Sequence, residues 1–182
     1  MPKLILKSEK YYLKNLGINA ATERYLSWMH DLEVSKTLEV DGLAQTIETI
    51  KDYIKWHDNK TKFLFGIYTN KNIHIGNFSI TLNIEHQRAT IGVMIGDKNY
   101  WGKGVVNETR SLIIDWLFYK KGMNKIEAGP MSINYPAIFN FTKQGWRNEG
   151  IIKEHYLIDG EKVDSVLYGM TKNRWKELEN KP

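Results

Sequence analysis

The sequence predicts an α+β (mixed α/β) fold built around one mostly antiparallel sheet. Apolar residues recur at helical spacing over residues 19–57, whereas residues 63–96 contain three short apolar segments separated by turns. A strand, a glycine-containing loop and a helix then follow one another over residues 91–120. In a chain of 182 residues this order indicates one sheet flanked by helices, in a single domain that spans 1–182.

The N-terminal third is predicted to contain a strand and two helices. Asn19 is a suitable N-cap for the first helix, because its side chain can accept a hydrogen bond from a backbone N–H of the first turn. Thr46 has the same role for the second helix. The predicted elements are a strand within 3–16, a helix over 20–29, a helical turn at 31–34 and a helix from 46 to about 57.

Residues 63–182 are predicted to form the sheet with two further helices. Alternation is clearest in 73–83, where Asn77, Ser79, Thr81 and Asn83 share one face. That polar face is either the lining of a binding groove or the solvent face of the sheet. The predicted elements are strands at 63–68, 73–83, 89–96 and 125–131, helices at 104–120 and from Pro136 to before Gly145, extended segments at 146–153 and 156–158, a hairpin turn at Asp159–Gly160, a strand at 163–170 and a polar tail.

Composition narrows the functional class. The chain has no cysteine, which excludes disulfides and a thiol nucleophile. It shows neither a signal peptide nor an apolar run long enough for a membrane span, so we expect a cytoplasmic protein without a membrane partner. The net charge of +5 mildly favours an anionic ligand. The basic residues are spread along the chain, so we expect no nucleic-acid partner.

The segment Trp101–Gly104 has the features of an anion-binding loop. It follows an apolar strand and precedes a helix, so that backbone N–H groups and the helix dipole converge on one point. Glycine would let the backbone approach a phosphate, because a Cβ would obstruct it. The usual ATP-loop and dinucleotide patterns are absent. The loop therefore predicts a site for the pyrophosphate of a nucleotide-like cofactor.

An ordered set of motifs resembles the GNAT acyltransferase superfamily, specifically its RimJ/RimL-type branch. The resemblance covers nearly the whole chain and is strongest over residues 91–170. The matching motifs are Ile91-Gly92, Met94–Gly96, Tyr100–Gly104 with Glu108, Asn134–Ile138, Phe141–Trp146, Glu149-Gly150, and Asp159-Gly160 with Asp164.

This resemblance implies acetyl-CoA as co-substrate and a sheet that is splayed at the cofactor site. In such proteins, backbone groups on the strand bind the pantetheine arm and the loop amides bind the pyrophosphate. The cofactor-binding residues implied here are Met94, Ile95, Trp101, Gly102, Lys103, Gly104, Val105, Val106, Asn134 and Phe141.

Two of these residues have alternative roles. Asn134 would bind the pantetheine arm or an ordered water near the thioester, and we name it as a catalytic candidate; it is equally suited to cap the helix at Pro136. Many family members have a tyrosine at the position of Phe141, where it acts as an acid toward the leaving thiolate. Phe141 cannot donate a proton, so it packs either on the cofactor or in the core.

The general base is harder to predict. Glu39 is our candidate, because it follows the first helices, a region that lines the acceptor site in such folds. Glu85 and His86 read as solvated turn residues. Glu108 reads as a charge at a helix N-terminus or a partner of a loop amide. The histidines show no metal-ligand spacing, so no metal is expected.

The sequence therefore predicts an acetyl-CoA-dependent N-acetyltransferase in which a primary amine attacks the thioester directly. The expected acceptor is a small amine such as an amino sugar, either free or linked to a nucleotide. A protein N-terminus is an alternative acceptor, and a non-catalytic acyl-CoA-binding domain is an alternative function. We expect a monomer or a homodimer.

Overall fold

Eight strands form one sheet in the computed structural model, which describes residues 4–180. The strands are β1 (Ile5–Lys7), β2 (Tyr11–Asn15), β3 (Lys62–Thr69), β4 (His74–Asn83), β5 (Arg88–Ile95), β6 (Lys125–Ala128), β7 (Arg147–Ile158) and β8 (Glu161–Thr171). Their order is β1-β2-β3-β4-β5-β6-β8-β7. β5 and β6 pair in parallel, from Arg88–Lys125 to Thr90–Glu127, whereas β1–β2, β2–β3, β3–β4, β6–β8 and β7–β8 are antiparallel. The predicted mixed, mostly antiparallel fold is confirmed.

Helices begin where side chains cap their first turns. Thr22, Asp31, Thr46, Asn134 and Thr171 each accept a hydrogen bond from a backbone N–H one turn into the following helix. The helices are α1 (Glu23–His30), α2 (Leu32–Ser35), α3 (Ile47–Trp56), α4 (Val105–Asp115, continued by a π-helical turn at Trp116–Lys120), α5 (Tyr135–Lys143) and α6 (Lys172–Glu179).

The fold divides into two compact units. The first unit contains the chain up to Thr81 together with Gly92–Ile113, and the second contains Leu82–Ile91 together with the chain from Ile114 onward. The single domain expected over 1–182 stays a prediction.

The core of the first unit lies under α1 and α3. The predicted apolar stripe of α1 is confirmed at Tyr25, Trp28 and Met29, which are buried. A Cβ built on Gly96 would overlap the ring of Trp28, so α1 contacts the chain directly at the end of β5. This core consists of Leu16, Tyr25, Trp28, Met29, Val34, Ile50, Ile54, Leu64, Tyr68 and Met94.

The core of the second unit forms around the end of α4. Trp116, Leu117 and Phe118 are buried in the π-helical turn, and Ile126 and Met170 are fully enclosed on β6 and β8. The helix ends at Lys120, and Gly122 follows the C-cap with a φ of +71°, the left-handed conformation typical after a helix C-terminus. The predicted position of this helix end is confirmed.

Three local predictions were wrong or incomplete. The predicted first strand is two strands, β1 and β2, because the chain turns at Ser8–Lys10. Asn19 does not cap α1: residues 18–20 form a 3-10 turn, and Thr22 is the cap. The polar tail forms α6, which the sequence pattern did not suggest because only Trp175 is buried in it. Lys3, Lys181 and Pro182, at the outer ends of these predictions, lie outside the described residues.

The hairpin turn at Asp159–Gly160 is confirmed. Both residues have positive φ, 51° and 84°, as a two-residue type I′ turn requires. Within residues 4–180, every helix is too short or too polar to cross a bilayer.

Candidate active site

The loop Trp101–Gly104 adopts a conformation that requires glycine. Gly102 and Gly104 have φ of +70° and +75°, in the left-handed region that side chains disfavour. A Cβ built on either residue would meet nothing within 4 Å. Glycine is therefore required by backbone conformation, while the space beside both residues is open, as a cradle for a phosphate group would be.

Helix α4 presents its N-terminus directly after this loop. The N–H of Glu108 donates to the carbonyl of Gly104 at 3.1 Å, which is the first hydrogen bond within the helix. The amides of residues 105–107 precede that bond, and helix geometry gives them no acceptor within α4. Val105 is buried and accepts from the Thr109 hydroxyl at 2.7 Å, which holds the first turn in place. The loop and helix together fit an anion.

Ion pairs anchor the entry to the loop. Arg24 of α1 contacts Asp97 at 2.7 Å, and Lys98 contacts Asp31 and Glu33 at 2.6 Å each. The hydrogen bonds that Lys98 donates to Asp31 and Glu33 raise the pKa of Lys98, and the bond to Asp31 lowers the pKa of that carboxyl group. Residues 97 and 98 are thus fixed to α1 and to the start of α2.

The end of β5 holds the two residues expected to contact the pantetheine arm. Met94 is buried in the core under α1 and α3, and its carbonyl faces Gly76 of β4. The carbonyl of Ile95 accepts a hydrogen bond from the Trp101 indole N–H at 2.8 Å. The predicted contacts of both residues with the cofactor remain predictions.

The polar face of β4 is covered by tyrosine side chains over part of its length and exposed at Thr81. Asn77 is buried and donates to the Tyr25 hydroxyl at 2.7 Å, and Ser79 forms a hydrogen bond with Tyr53. Thr81 is exposed. Burial raises the pKa of Tyr25 and of Tyr53, so both phenols stay protonated near neutral pH and cannot act as bases there.

His74 lies in an aromatic cluster that sequence reasoning missed. Its ring stacks on Tyr68 at 4.8 Å and meets the edges of Trp28 and Tyr25 at 5.0 and 6.1 Å. Burial lowers the pKa of His74 to about 4, and its Nε2–H donates to the Gly76 carbonyl at 2.9 Å. No local motif marks this residue, because its neighbours come from β3 and α1.

The second unit contains Asn134 and Phe141. The Asn134 side chain accepts from the Ala137 N–H at 3.1 Å, so it caps α5. Phe141 is buried, stacks on Tyr168 at 5.0 Å with a 13° interplanar angle, and meets Trp146 edge-on at 5.0 Å. The structural roles considered for both residues are therefore observed, and their contacts with a cofactor remain predictions.

Carboxylates lie in three different settings. Glu108 accepts from the Ser8 hydroxyl at 2.7 Å and the Lys10 N–H at 3.1 Å, so it joins α4 to the β1–β2 turn, in agreement with one of its predicted roles. Glu85 is exposed at its turn, as expected. Glu39 is exposed between α2 and α3, and its role as base remains a prediction. The part of the chain that is described holds no cluster of three His, Asp or Glu side chains suited to a metal.

Relatives of this chain are acetyltransferases. The Probable N-acetyltransferase YjcK of Bacillus subtilis is 27% identical over 150 residues, which cover 81% of each chain. The ribosomal protein uS5-alanine N-acetyltransferase of Escherichia coli is 27% identical over 124 residues, 66% of this chain and 63% of the relative.

A solved structure has the same fold. The spermidine N-acetyltransferase from Vibrio cholerae, in complex with CoA and spermine, superimposes with a TM-score of 0.83 at 16% identity and covers 93% of this chain and 99% of its own.

The family profile gives the assignment directly. The profile described as "Acetyltransferase (GNAT) domain" matches residues 13–147, which is more than half of the chain and runs from within β2 to the start of β7. The resemblance that the motifs indicated is confirmed. The chain therefore belongs to the GNAT acetyltransferase family, and it is an acetyltransferase with acetyl-CoA as its co-substrate.

Proposed function

We propose that this enzyme transfers the acetyl group of acetyl-CoA to the primary amine of a small, cationic acceptor. The observation that carries the donor half of the proposal is the open loop at Gly102 and Gly104 before the N-terminus of α4. A helix N-terminus preceded by such a loop is suited to a pyrophosphate. The donor supplies an acyl carbon already activated as a thioester.

The donor is assigned to residues of the first unit. The amides from Trp101 to Val106 would hold the pyrophosphate, and the backbone of Met94 and Ile95 would hold the pantetheine arm. Cofactor contacts of Asn134 and Phe141, and a splayed sheet, remain what the family resemblance implies.

Proton transfer needs a group that accepts a proton from the acceptor ammonium. The raised pKa values of Tyr25 and Tyr53 make both phenols unsuitable. Glu39 is exposed in the first unit, and we propose that it accepts the proton directly or through water. Phe141 has no proton to donate, so the thiolate leaves without an acid at that position; thiols ionise near pH 8.5, which makes them tolerable leaving groups.

Local charge supports a cationic acceptor. The whole-chain charge of +5 suggested an anionic one, but the charge is unevenly distributed. Between residues 30 and 49 there is one basic residue, Lys36, against five acidic ones. Asp31 and Glu33 are paired with Lys98, and Glu39 and Asp41 are the carboxylates that would favour an ammonium-bearing acceptor over a nucleotide-linked sugar near this segment. The five acidic residues are Asp31, Glu33, Glu39, Asp41 and Glu48.

A panel of acceptors tests this proposal. The release of CoA from acetyl-CoA would be followed with spermidine, glucosamine, a nucleotide-linked amino sugar and a peptide that begins with alanine. We expect the highest kcat/KM with the polyamine, and a lower value for Glu39→Gln with an unchanged Kd for CoA. Preference for the sugar nucleotide would contradict the cationic assignment, and preference for the peptide would instead place the enzyme with N-terminal protein acetyltransferases.

A non-catalytic acyl-CoA-binding domain, the alternative function that the sequence left open, conflicts with the family assignment, and the same assays test it. The specific observation in its favour is Phe141, a residue without a proton, packed between Trp146 and Tyr168. This function would show CoA binding by calorimetry and no release of free thiol with any amine in the panel.

A further inference from the structure

Trp101 is held by a hydrogen bond more than by burial. Its side chain is 43% exposed, yet its indole N–H donates to the carbonyl of Ile95 at 2.8 Å. A partly exposed tryptophan without such a bond would have several accessible rotamers. The bond therefore fixes the indole in one orientation across the chain that leads into the loop.

The acceptor of this bond is the last carbonyl of β5. The carbonyl of the preceding residue, Met94, faces Gly76 of β4, and consecutive carbonyls of a strand point to opposite edges. The Ile95 carbonyl consequently points away from β4. On the β4 side, the Gly96 and Asp97 amides both donate to the Ile75 carbonyl, at 3.0 and 3.1 Å. Trp101 therefore supplies a donor on the opposite side of the strand end.

The hydrogen bond from the Trp101 indole to the Ile95 carbonyl closes a ring that consists of the intervening backbone and the indole side chain. The hydrogen bonds that residues 95–101 make with one another are otherwise short-range: the Tyr100 amide donates to the Asp97 carbonyl and the Trp101 amide donates to the Lys98 carbonyl, each at 3.0 Å. Each of those bonds spans three residues, whereas the indole bond spans six. It ties the start of the Trp101–Gly104 loop directly to the end of β5.

We infer that Trp101 is a positioning residue for the acetyl donor. Its indole N–H acts through the Ile95 carbonyl and sets where the loop amides and the first turn of α4 lie before the donor binds. Preorganisation of this kind raises affinity, because less ordering has to occur on binding. The inference rests on the proposed function, since the ring matters to the donor only if the loop binds CoA.

The variant Trp101→Phe removes the N–H and keeps an aromatic ring. The expected result is a Kd for coenzyme A that is about threefold to tenfold higher by calorimetry, as the loss of one hydrogen bond predicts. The KM for acetyl-CoA should rise by a similar factor, while kcat at saturating acetyl-CoA and the KM for the acceptor stay unchanged. A merely structural role would not produce this split.

Tyr119→Phe is the matched control. Tyr119 is 42% exposed and donates one hydrogen bond to Glu179 at 2.6 Å, in the second unit. This variant also deletes one side-chain hydrogen bond and retains the ring. Its Kd for coenzyme A should equal that of the wild type.

The coenzyme A titrations test the role of Trp101 and the proposed function separately. If wild-type protein binds coenzyme A and Trp101→Phe binds it equally well, Trp101 has no positioning role. Tighter binding by the variant would also overturn the inference, because the indole would then compete with the donor for the Ile95 carbonyl. If the wild type itself does not bind coenzyme A, the proposed function fails. Trp101→Tyr also lacks the indole N–H and is a second variant, for which the same rise in the Kd for coenzyme A is expected. Tm values confirm that each protein is folded at the temperature of titration.

Discussion

At the scale of single residues, the Trp101–Gly104 loop gives two different reasons for a glycine at position 104: backbone conformation and space for a ligand. The sequence predicts that Gly104 is required because a Cβ would obstruct a phosphate. The φ of +75° shows a requirement that exists without any ligand, and the open space beside it is compatible with the first reason as well. Substitution at this position thus has a conformational cost and a cost in binding, and a suitable control can separate them.

Gly104→Ala should destabilise the fold by about 1 kcal/mol and raise the KM for acetyl-CoA. The first effect follows from a side chain at left-handed φ, and the second from a methyl group and a shifted backbone at the pyrophosphate site. Urea denaturation and initial-rate kinetics measure the two effects. Gly122→Ala is the control, since Gly122 has a φ of +71° with equally open space and lies outside the loop. Equal KM values for the two variants would refute the loop as the cofactor site.

His74 predicts a pH dependence of stability. Burial lowers its pKa to about 4, below the value near 6.5 in an unfolded chain, so between these values the unfolded state binds more protons. The free energy of unfolding should therefore rise with pH in this window, by about 1.4 kcal/mol per pH unit for one proton, and the contribution is lost as pH falls toward 4. In His74→Gln the slope between pH 4 and 6.5 should be smaller. An identical slope in wild type and variant would exclude His74 as its source.

At the scale of elements, the caps and the ion pairs explain how the site is supported. The Thr46 hydroxyl accepts a hydrogen bond from the Thr49 amide, and the Thr46 amide donates to the Thr49 hydroxyl. This capping box fixes the residue at which α3 begins. Arg24 of α1 pairs with Asp97, and Lys98 pairs with Asp31 at the start of α2. Both helices are thereby joined to the chain that leads into the loop. The ion pairs are partly exposed and contribute little to stability individually. Their importance lies in the position that they impose on the chain.

Helix α6 was absent from the sequence prediction, and one contact explains why it forms. The Trp175 indole donates to Asp115 at 2.7 Å, and burial raises the pKa of Asp115. Trp175→Phe should lower the free energy of unfolding by about 1–3 kcal/mol, because the carboxylate would lose its donor. The KM for acetyl-CoA should not change. Thermal denaturation and kinetics check both statements, and an unaltered Tm would show that the hydrogen bond from Trp175 to Asp115 contributes nothing to stability.

At the scale of the whole molecule, the uneven charge distribution is more informative than the total. The chain is basic overall, yet residues 30–49 are acidic. This distribution suits a polyanionic donor and a cationic acceptor in one enzyme. The total charge favours an anionic acceptor and the local charge a cationic one, since a sum over the chain discards position; the cationic acceptor is the one that we propose.

The sequence alone determined the mixed fold, the order of most elements, the family and the donor. These depend on periodicity, on capping residues and on motifs such as Tyr100–Gly104, all of which are local along the chain. The limits of the elements were less certain, as Asn19 and Thr22 show, because two residues near one helix start can both act as caps.

Only the tertiary structure decided which distant residues share an environment. The aromatic cluster around His74, the covering of Asn77 and Ser79 by tyrosines, and the core position of Phe141 all depend on contacts between residues far apart in the chain. The same is true of the Arg24–Asp97 and Glu108–Ser8 contacts that support the loop. A local pattern constrains backbone conformation through neighbouring residues, whereas burial, pKa and hydrogen-bond partners depend on packing between elements, and packing has no local signature.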